Sequence, residues 1–479
     1  MAMSSKTSAA TDVTVLGAGA AGVAAAVVAA RSGCRVIVID NGSVPGGQYF
    51  RGAATETSSA VNSRPADLSY AELRIEFDRL VASGAIDYRA RWTAYAASID
   101  DAGFVIRLRG DDRHRSEIDA VTSAAVVVAT GAFDRQLPFP GWDLPGVMSG
   151  GGAQSLAKGD DVVPGRRVVV AGTGPFLLAV SSTLLDHGAS VPAIVEANHP
   201  ARMMTQTSGL RGGLGKTGEL IGYARQLVRH RVPYLRRHRV IEAIGVDRVD
   251  AVRIARIDAD WRVIPGSERV VECDGLAVGY GFIAQTDLAG QLGAAMALGA
   301  DGGLVVDVDD DLATSVAGLF AAGETTGVGG VEAARVEGLL AGASVADYLG
   351  RPPALTSRGL DVVRRDVAMW QGFADALHTT FPVRDGWRGQ VRSDTLVCRC
   401  EEVDAGQVRE AIDDLGARDT RAVKLFTRAG MGWCQGRVCG SAVDSLCGFG
   451  TTQSLGGAAT RPLAVPVPLG ALANDQMEG

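Results

Sequence analysis

Two groups of residues in this 479-residue sequence have the types and spacing to do chemistry. The first is a quartet of cysteines: Cys398 and Cys400 form a C-x-C pair, and Cys434 and Cys439 form a C-x4-C pair 33 residues further on. Thiolates in two close pairs make a four-sulfur site. Zinc ribbons favour C-x2-C pairs about 12 to 20 residues apart. A C-x-C pair is tight for one tetrahedral zinc but suits one iron of a two-iron centre. A [2Fe–2S] cluster is therefore expected on these four residues, ahead of zinc or buried structural thiols. Cys439 is expected in the first turn of a helix from Arg437 to about Leu446, where the dipole favours a thiolate. Cys34, Cys273 and Cys447 have no sequence partner and read as small core residues.

The second group is a glycine-rich turn near the amino end. The β-branched run Asp12 to Leu16 leads into Gly17-Ala18-Gly19-Ala20-Ala21-Gly22, then a small-residue helix to about Ser32, then a strand from Arg35 ending at Asp40. Gly17 permits the tight turn, Gly19 lets backbone approach a pyrophosphate, and Gly22 brings helix and strand together. The free N–H groups of Ala20 and Ala21 at the helix start favour an anion. Asp40, 23 residues after Gly17, can accept hydrogen bonds from ribose hydroxyls, with Asn41 beside it. Downstream echoes add Gly47-Gln48, then Ala129-Thr130-Gly131 after a buried strand, and Gly323-Glu324 after another. Each echo repeats the pattern of a strand running into glycine.

A second unit of the same kind starts at Arg167, with Gly172-Thr173-Gly174-Pro175-Phe176-Leu177 and a strand ending at Glu196. Leu177 replaces the third glycine and is expected either to part helix from strand or to crowd a pyrophosphate. The unit reads equally as an NAD site, held by Gly172, Gly174 and Glu196, or as a ligand-free fold. As an NAD site, Glu196 would prefer the free 2′-hydroxyl of NAD to the phosphate of NADP.

The elements that must position these residues are α/β. With 47% apolar and 21% charged residues the chain is globular, with room for two to four domains. Its 62 glycines are roughly twice the usual share and lack a collagen period, so they serve turns and close approaches. A net charge of −7 argues against nucleic acid or anionic lipid as the main partner. The basic run Arg225 to Arg239 reads as a solvated helix and strand edge, and Asp307 to Asp311 as a surface turn. The most apolar stretch, Ala18 to Ala30, is too short to span a bilayer. No targeting segment is evident, and the clustered cysteines suit a reducing cytoplasm. No Ser/His/Asp or Cys/His constellation supplies a nucleophile or general base, so no catalytic side chain is assigned. Ala53 to Ser69 reads as a loop over the first unit.

The order of the glycine motifs resembles the glutathione-reductase-like flavoproteins, which carry two Rossmann-like dinucleotide-binding domains. That resemblance implies FAD, with Gly47-Gln48, Ala129-Thr130-Gly131 and Gly323-Glu324 gathered at the same nucleotide and the late Glu324 standing where the family has Asp. The C-x4-C redox disulfide of disulfide reductases is missing from Gly46 to Thr57. The run CRCEEV…TRAGMGWCQGRVCG resembles the small helical BFD-like [2Fe–2S] domain, with C-x4-C in place of C-x2-C. Together with ATGAFDRQLPFPGWDLPGV (129–147), GYGFIAQTDLAGQLG (279–293) and the closing RPLAVPVPLGAL, the chain resembles the α subunit of heteromeric amine dehydrogenases: opine oxidases, hydroxyproline and proline dehydrogenases, and hydrogen cyanide synthase.

The resemblance implies a domain order: a FAD-type domain over residues 10–145 and 276–350, a second Rossmann domain over 146–275, a connecting segment over 351–390, the BFD-like domain over 391–455 and a tail over 456–479. It implies FAD or another adenine nucleotide in the first site, and FMN at a subunit interface in some members. It also implies an oxidase-like β subunit that binds its own FAD and oxidises the substrate, with a small ferredoxin-like γ subunit in some complexes. The α subunit then carries electrons onward, in the cytoplasm or at the inner face of the membrane. Two other readings are a self-contained NAD(P)H-dependent FAD reductase and a structural subunit stabilised by its nucleotide and cluster.

Overall fold

The computed structural model describes residues 11–50, 69–110, 118–205, 210–448 and 461–475. The loop expected over Ala53 to Ser69 falls almost wholly outside them. Thr11–Leu16 and Val36–Asp40 are buried β-branched strands that pair in parallel, Val13 opposite Val36 through Leu16 opposite Ile39. Buried on both faces, such strands need cover from helices on each side. The first sheet orders Ile86–Ala90, Val36–Asp40, Thr11–Leu16, Ile118–Val128, Gly103–Gly110 and Trp92–Asp100. The late strand Leu319–Ala321 returns to pair with the end of Ile118–Val128, Leu319 opposite Val126. Three strand ends, at Leu16, Val128 and Ala321, therefore open side by side.

Small residues set how closely the covering helices approach. Ala20–Arg31 packs against Val331–Tyr348, and a methyl on Gly338 would lie 2.2 Å from the Ala21 carbonyl oxygen. On Gly342, one turn later, it would lie 2.5 Å from the Ala25 carbonyl oxygen. These glycines let backbone touch backbone, and any side chain there would overpack the crossing.

The second sheet is parallel, in the order Tyr234–Arg236, Ile194–Glu196, Val168–Gly172, Gly275–Gly279 and Val147–Ser149. Gly275–Gly279 is one of its three inner strands, so the chain leaves this unit after that strand, later than the expected boundary at 275. It crosses back through an antiparallel ribbon in which Phe282–Ala284 pairs with Ala132–Asp134. Leu177 causes neither disturbance expected of it: it is buried among Val168, Val170 and Val180 and fills the space between helix and sheet. The end of the basic run departs from the solvated reading, because Arg239 is only 3% exposed and reaches the carbonyls of Gly386 and Trp387.

The expected connecting segment is mostly one 24-residue helix, Ser357–Thr380, whose Val363, Val367 and Trp370 join the core of the first unit. After it, the cluster domain grows from the second unit's core: Trp142, Trp261 and Tyr280 pack with Trp387, Val397, Cys398, Cys439 and Val443. Asp404 caps the Ala405–Asp413 helix through the Gln407 N–H, and the Gln407 side chain accepts from the Asp404 N–H, as the sequence predicts. The helix after the second cysteine pair differs from expectation. It is Gly440–Cys447, with Cys439 as its N-cap, because residues 433–439 are spent in turns.

Candidate functional site

The first glycine turn is shaped by contacts that only glycine tolerates. Gly17 has φ +103°, and a methyl there would meet the Ala129 carbonyl oxygen at 2.4 Å. At Gly22 it would strike the Gly17 carbonyl oxygen at 1.8 Å. Gly19 faces open space on its Cβ side, so the turn offers approach from outside. Gly19 is also the N-cap of Ala20–Arg31, so the N–H groups of Ala20 and Ala21 start that helix and favour an anion. The Ala18 N–H donates to Asp40 Oδ1 at 3.3 Å, which holds that carboxylate at the strand end beside the turn.

The other expected residues converge here from distant parts of the chain. Gly47 packs on Gly19, where a methyl on Gly47 would lie 3.0 Å from the Gly19 Cα, and the Gly46 N–H donates to the Ala18 carbonyl at 2.8 Å. Asn41 and Gln48 are exposed in the same loop. The Ala129 N–H donates to the Leu16 carbonyl at 2.9 Å, and the Thr130 hydroxyl donates to the Gln285 carbonyl at 2.7 Å. The Gln285 N–H returns a bond to the Gly131 carbonyl at 2.9 Å. Gly323, with φ +78°, packs against the Ala21 methyl and delivers Glu324 to the start of the Val331–Tyr348 helix, where Glu324 accepts the Gly330 N–H at 2.9 Å. The residues present, an open Gly19 at a helix start with the Asp40 carboxylate, Gly47, Gly131 and Glu324 gathered from distant segments, fit the donor set a dinucleotide needs.

Sequence reading missed Glu337. It is 5% exposed and accepts the Gly323 N–H and the Thr326 hydroxyl, both at 2.8 Å, so it fixes the Gly323 turn from behind. Loss of water pushes both Glu324 and Glu337 up to about 7, and for Glu324 the nearby Glu337 adds to the shift. The only sequence signal for Glu337 is an acidic residue on the apolar face of a predicted helix.

The second glycine turn is closed from within. Glu196 is fully buried, and its carboxylate accepts the Gly174 N–H at 2.9 Å, the Thr173 hydroxyl at 2.8 Å and the Asn198 N–H at 2.7 Å. Tyr234 adds a longer bond at 3.4 Å. Asn198 Nδ2 then donates to the Pro382 carbonyl at 2.9 Å, which ties the segment after the long helix across the same corner. Burial raises the Glu196 pKa, and the four bonds oppose that rise. Gly172 presses on the Gly279 carbonyl oxygen, which would lie 1.8 Å from a methyl on Gly172, and that is a strand-packing role. The Gly174 N–H and the Thr173 hydroxyl are committed to the chain's own buried carboxylate, so this turn offers a pyridine nucleotide neither of those donors nor a free ribose carboxylate.

The four predicted cysteines come together at the far end, and none is in a disulfide. The Cys439 side chain lies beside both Cys398 and Cys434, and Cys434 in turn lies beside Cys400. Backbone N–H groups also aim at the sulfurs: those of Gly430, Glu401 and Cys400 at Cys398, and those of Val438 and Gly436 at Cys434. The neighbouring Cys439 thiol is the main cause holding Cys434 down to about 4 and Cys398 down to about 6, while Cys439 itself is pushed far up. Among the described residues, no three His, Cys, Asp or Glu side chains are placed to grip a metal ion as they stand. The thiols form a chain, 400–434–439–398, surrounded by N–H donors, and that donor set suits a dinuclear iron–sulfur centre.

One ion pair joins the two sites. Arg437, between the last two cysteines, donates to Asp287 at 3.0 Å, with side chains 12% and 11% exposed. Asp287 stands two residues after Gln285, whose backbone bonds Thr130 and Gly131, so the ion pair reaches the segment that runs beside the Thr130 turn. Arg437 also lies over the Phe133 ring and bonds the Ala464 carbonyl, and Arg461 reaches Asp287 at 3.3 Å. A second tie runs through Trp142, whose indole N–H donates to the Leu396 carbonyl at 2.6 Å while Arg399 stacks 4.4 Å from its ring centre.

This fold and its two sites define an oxidoreductase of the two-Rossmann type with an iron–sulfur appendage. The profile of the pyridine nucleotide-disulphide oxidoreductase family matches residues 11–340, and that of the BFD-like [2Fe-2S] binding domain matches residues 396–447. An opine oxidase subunit of Rhizobium meliloti (strain 1021) is 32% identical over 97% of this chain and 98% of its own. Hydrogen cyanide synthase subunit HcnB of Pseudomonas aeruginosa is 31% identical over 96% and 98% respectively. The fold of L-proline dehydrogenase from P. horikoshii superposes with a TM-score of 0.65 over 97% of this chain and 79% of that one, at 19% identity. The chain belongs to the pyridine nucleotide-disulphide oxidoreductase family, and within it to the FAD and [2Fe–2S] subunits related to HcnB and to that opine oxidase polypeptide. Its cofactors are FAD and a [2Fe–2S] cluster. Among the described residues, no helix is long and apolar enough to cross a membrane.

Proposed function

We propose that this chain is the electron-carrying subunit of a heteromeric dehydrogenase that oxidises the C–N bond of an opine, imino acid or amino acid. The oxidation takes place on an oxidase-like partner subunit with its own FAD. The observation that carries this reading is the Arg437–Asp287 pair, which fastens the four-cysteine loop to the segment whose Gln285 bonds Thr130 and Gly131 within one polypeptide. When bound, FAD exchanges electrons in pairs and the [2Fe–2S] cluster passes them singly, so the chain converts one mode to the other.

Each residue group has a defined part. Gly19 admits the pyrophosphate, the Ala20 and Ala21 N–H groups favour its charge, and Asp40 receives ribose hydroxyls. Gly47 and Gly131 bring loop backbone against the nucleotide, while Glu324 and Glu337 shape the turn at its far end. Cys398, Cys400, Cys434 and Cys439 hold the irons, and the N–H groups around Cys398 and Cys434 favour their thiolate forms. The closed corner at Glu196 argues against a self-contained NAD(P)H reductase.

The test is co-purification and turnover. Expressed with an oxidase-like subunit, the chain should form a stable complex that reduces a dye with an imino acid or opine as donor. Expressed alone, it should bind flavin and iron yet oxidise no amine. Amine oxidation by the single chain, or a complex that turns over normally with Cys434→Ser in place, would overturn the reading.

A further inference from the structure

The four thiols are unequally placed. Cys398 and Cys439 are buried, and Arg437 turns the loop between Cys434 and Cys439 toward the nucleotide domain, whereas Cys400 is exposed. The surface around Cys400 is unusual. Leu425, Phe426, Met431 and Trp433, all within nine residues, are 67%, 53%, 39% and 75% exposed. Leu425 and Phe426 end the Thr420–Thr427 helix, which buries only Val423. A methyl on Gly432 would lie 2.2 Å from the Cys400 Cβ, so the stretch of chain bearing Met431 and Trp433 runs directly against the exposed thiol. The Arg428–Glu401 pair, at 2.8 Å, pins the end of the helix to the residue beside Cys400.

The charge of this face differs in sign from that of the whole chain. Residues 415–436 carry Arg418, Arg421, Lys424 and Arg428 against Asp419, and with Glu401, which pairs Arg428, and Glu402 beside Cys400 counted the face keeps a net positive charge in a chain of net charge −7. The Asp419 carboxylate is engaged in capping the Ala422 N–H at 2.6 Å. Apolar side chains grouped on a surface with a charged rim mark a binding face, and a one-sign field steers a partner of the other sign.

We propose that this face is the exit of the electron path and docks an acidic one-electron carrier protein, with the apolar group at its centre and the basic residues around it. This rests on the electron-carrying role proposed above. In the step it serves, the cluster loses one electron and the carrier's redox centre gains one, with no bond or proton transferred.

The test uses the complete cluster-loaded complex with two purified carriers: a plant-type ferredoxin, which is acidic, and horse cytochrome c, which is basic. Association should be found with ferredoxin and not with cytochrome c, and should weaken at least tenfold between 20 and 200 mM salt. The double substitutions Leu425→Ser/Phe426→Ser and Arg421→Glu/Lys424→Glu should each weaken it at least tenfold. The iron content, the EPR signal of the reduced cluster and the reduction of a small dye should stay unchanged. No association with ferredoxin, wild-type affinity in both variants, preference for cytochrome c, or loss of the oxidase-like subunit from either variant would overturn the docking face. A wild-type preparation with no cluster signal would instead overturn the underlying role, so the two failures are told apart.

Discussion

Asp287→Asn is the substitution that probes the junction between the two sites. Asp287 faces Arg437 at 3.0 Å and Arg461 at 3.3 Å, and the first pair is close to fully buried. At an effective dielectric near 20, two charges 3 Å apart attract by about 5 kcal/mol before desolvation is counted. Removing one partner of such a pair costs about 3–5 kcal/mol, because the remaining cation stays buried and unbalanced. Arg461 is 31% exposed, so its share is below about 1 kcal/mol. Asparagine keeps one accepting oxygen, which lowers the expected cost to about 3 kcal/mol, or roughly 150-fold in the population of the undocked cluster loop. Hydrogen exchange should read this directly: amides of Gly440–Cys447 should exchange about a hundredfold faster in the variant, and those of Thr11–Leu16 should not change. Iron content should persist while electron transfer from flavin to cluster slows. Exchange within threefold of wild type across Gly440–Cys447 would refute the reasoning that this pair docks the loop.

Three further outcomes follow from the packing and the carboxyl groups. Gly338→Val places side-chain atoms against the Ala21 carbonyl, where even a methyl would sit at 2.2 Å, so the midpoint of thermal unfolding and the flavin content should both fall sharply, with more than about 3 kcal/mol lost. Glu337 binds its proton more tightly folded than unfolded, so its contribution is full below pH 4.5 and fades as pH rises through about 7. Glu337→Gln should flatten the decline in apo-protein stability between pH 5 and 7.5 by up to about 3 kcal/mol, measured by urea unfolding. Because Glu196 occupies the Gly174 N–H and the Thr173 hydroxyl, NADH at millimolar concentration should neither quench protein fluorescence nor bleach the flavin, and micromolar binding would contradict that closure.

Much of the architecture was legible because its determinants are local. A β-branched run followed by G-x-G-x-x-G and a small-residue helix can hardly fold otherwise, and the contacts of Gly17 and Gly22 give the physical reason. The pairing of Cys398 and Cys400 with Cys434 and Cys439 was legible from thiol spacing. What sequence could not supply was which polar groups satisfy each other across long separations. Glu196 stands at the spacing of a ribose carboxylate, yet its fate is set by Asn198, Tyr234 and a carbonyl at Pro382. Arg437 and Asp287 are 150 positions apart and carry no shared motif. The segment from 351 to 390 read as a connection because its prolines stand at the front, whereas the amphipathic face of Ser357–Thr380 is what packs into the first core. Arg239 sat in a basic run that looked solvated, and only tertiary packing buries it.

The central claim is that electrons pass through this chain from flavin to cluster. Rapid freeze-quench EPR of the assembled complex, mixed anaerobically with its amine donor, tests it most directly. The account predicts that the signal of the reduced [2Fe–2S] cluster grows in step with reoxidation of the flavin and disappears in Cys434→Ser. A flavin that cycles at full rate while the cluster stays oxidised would contradict it.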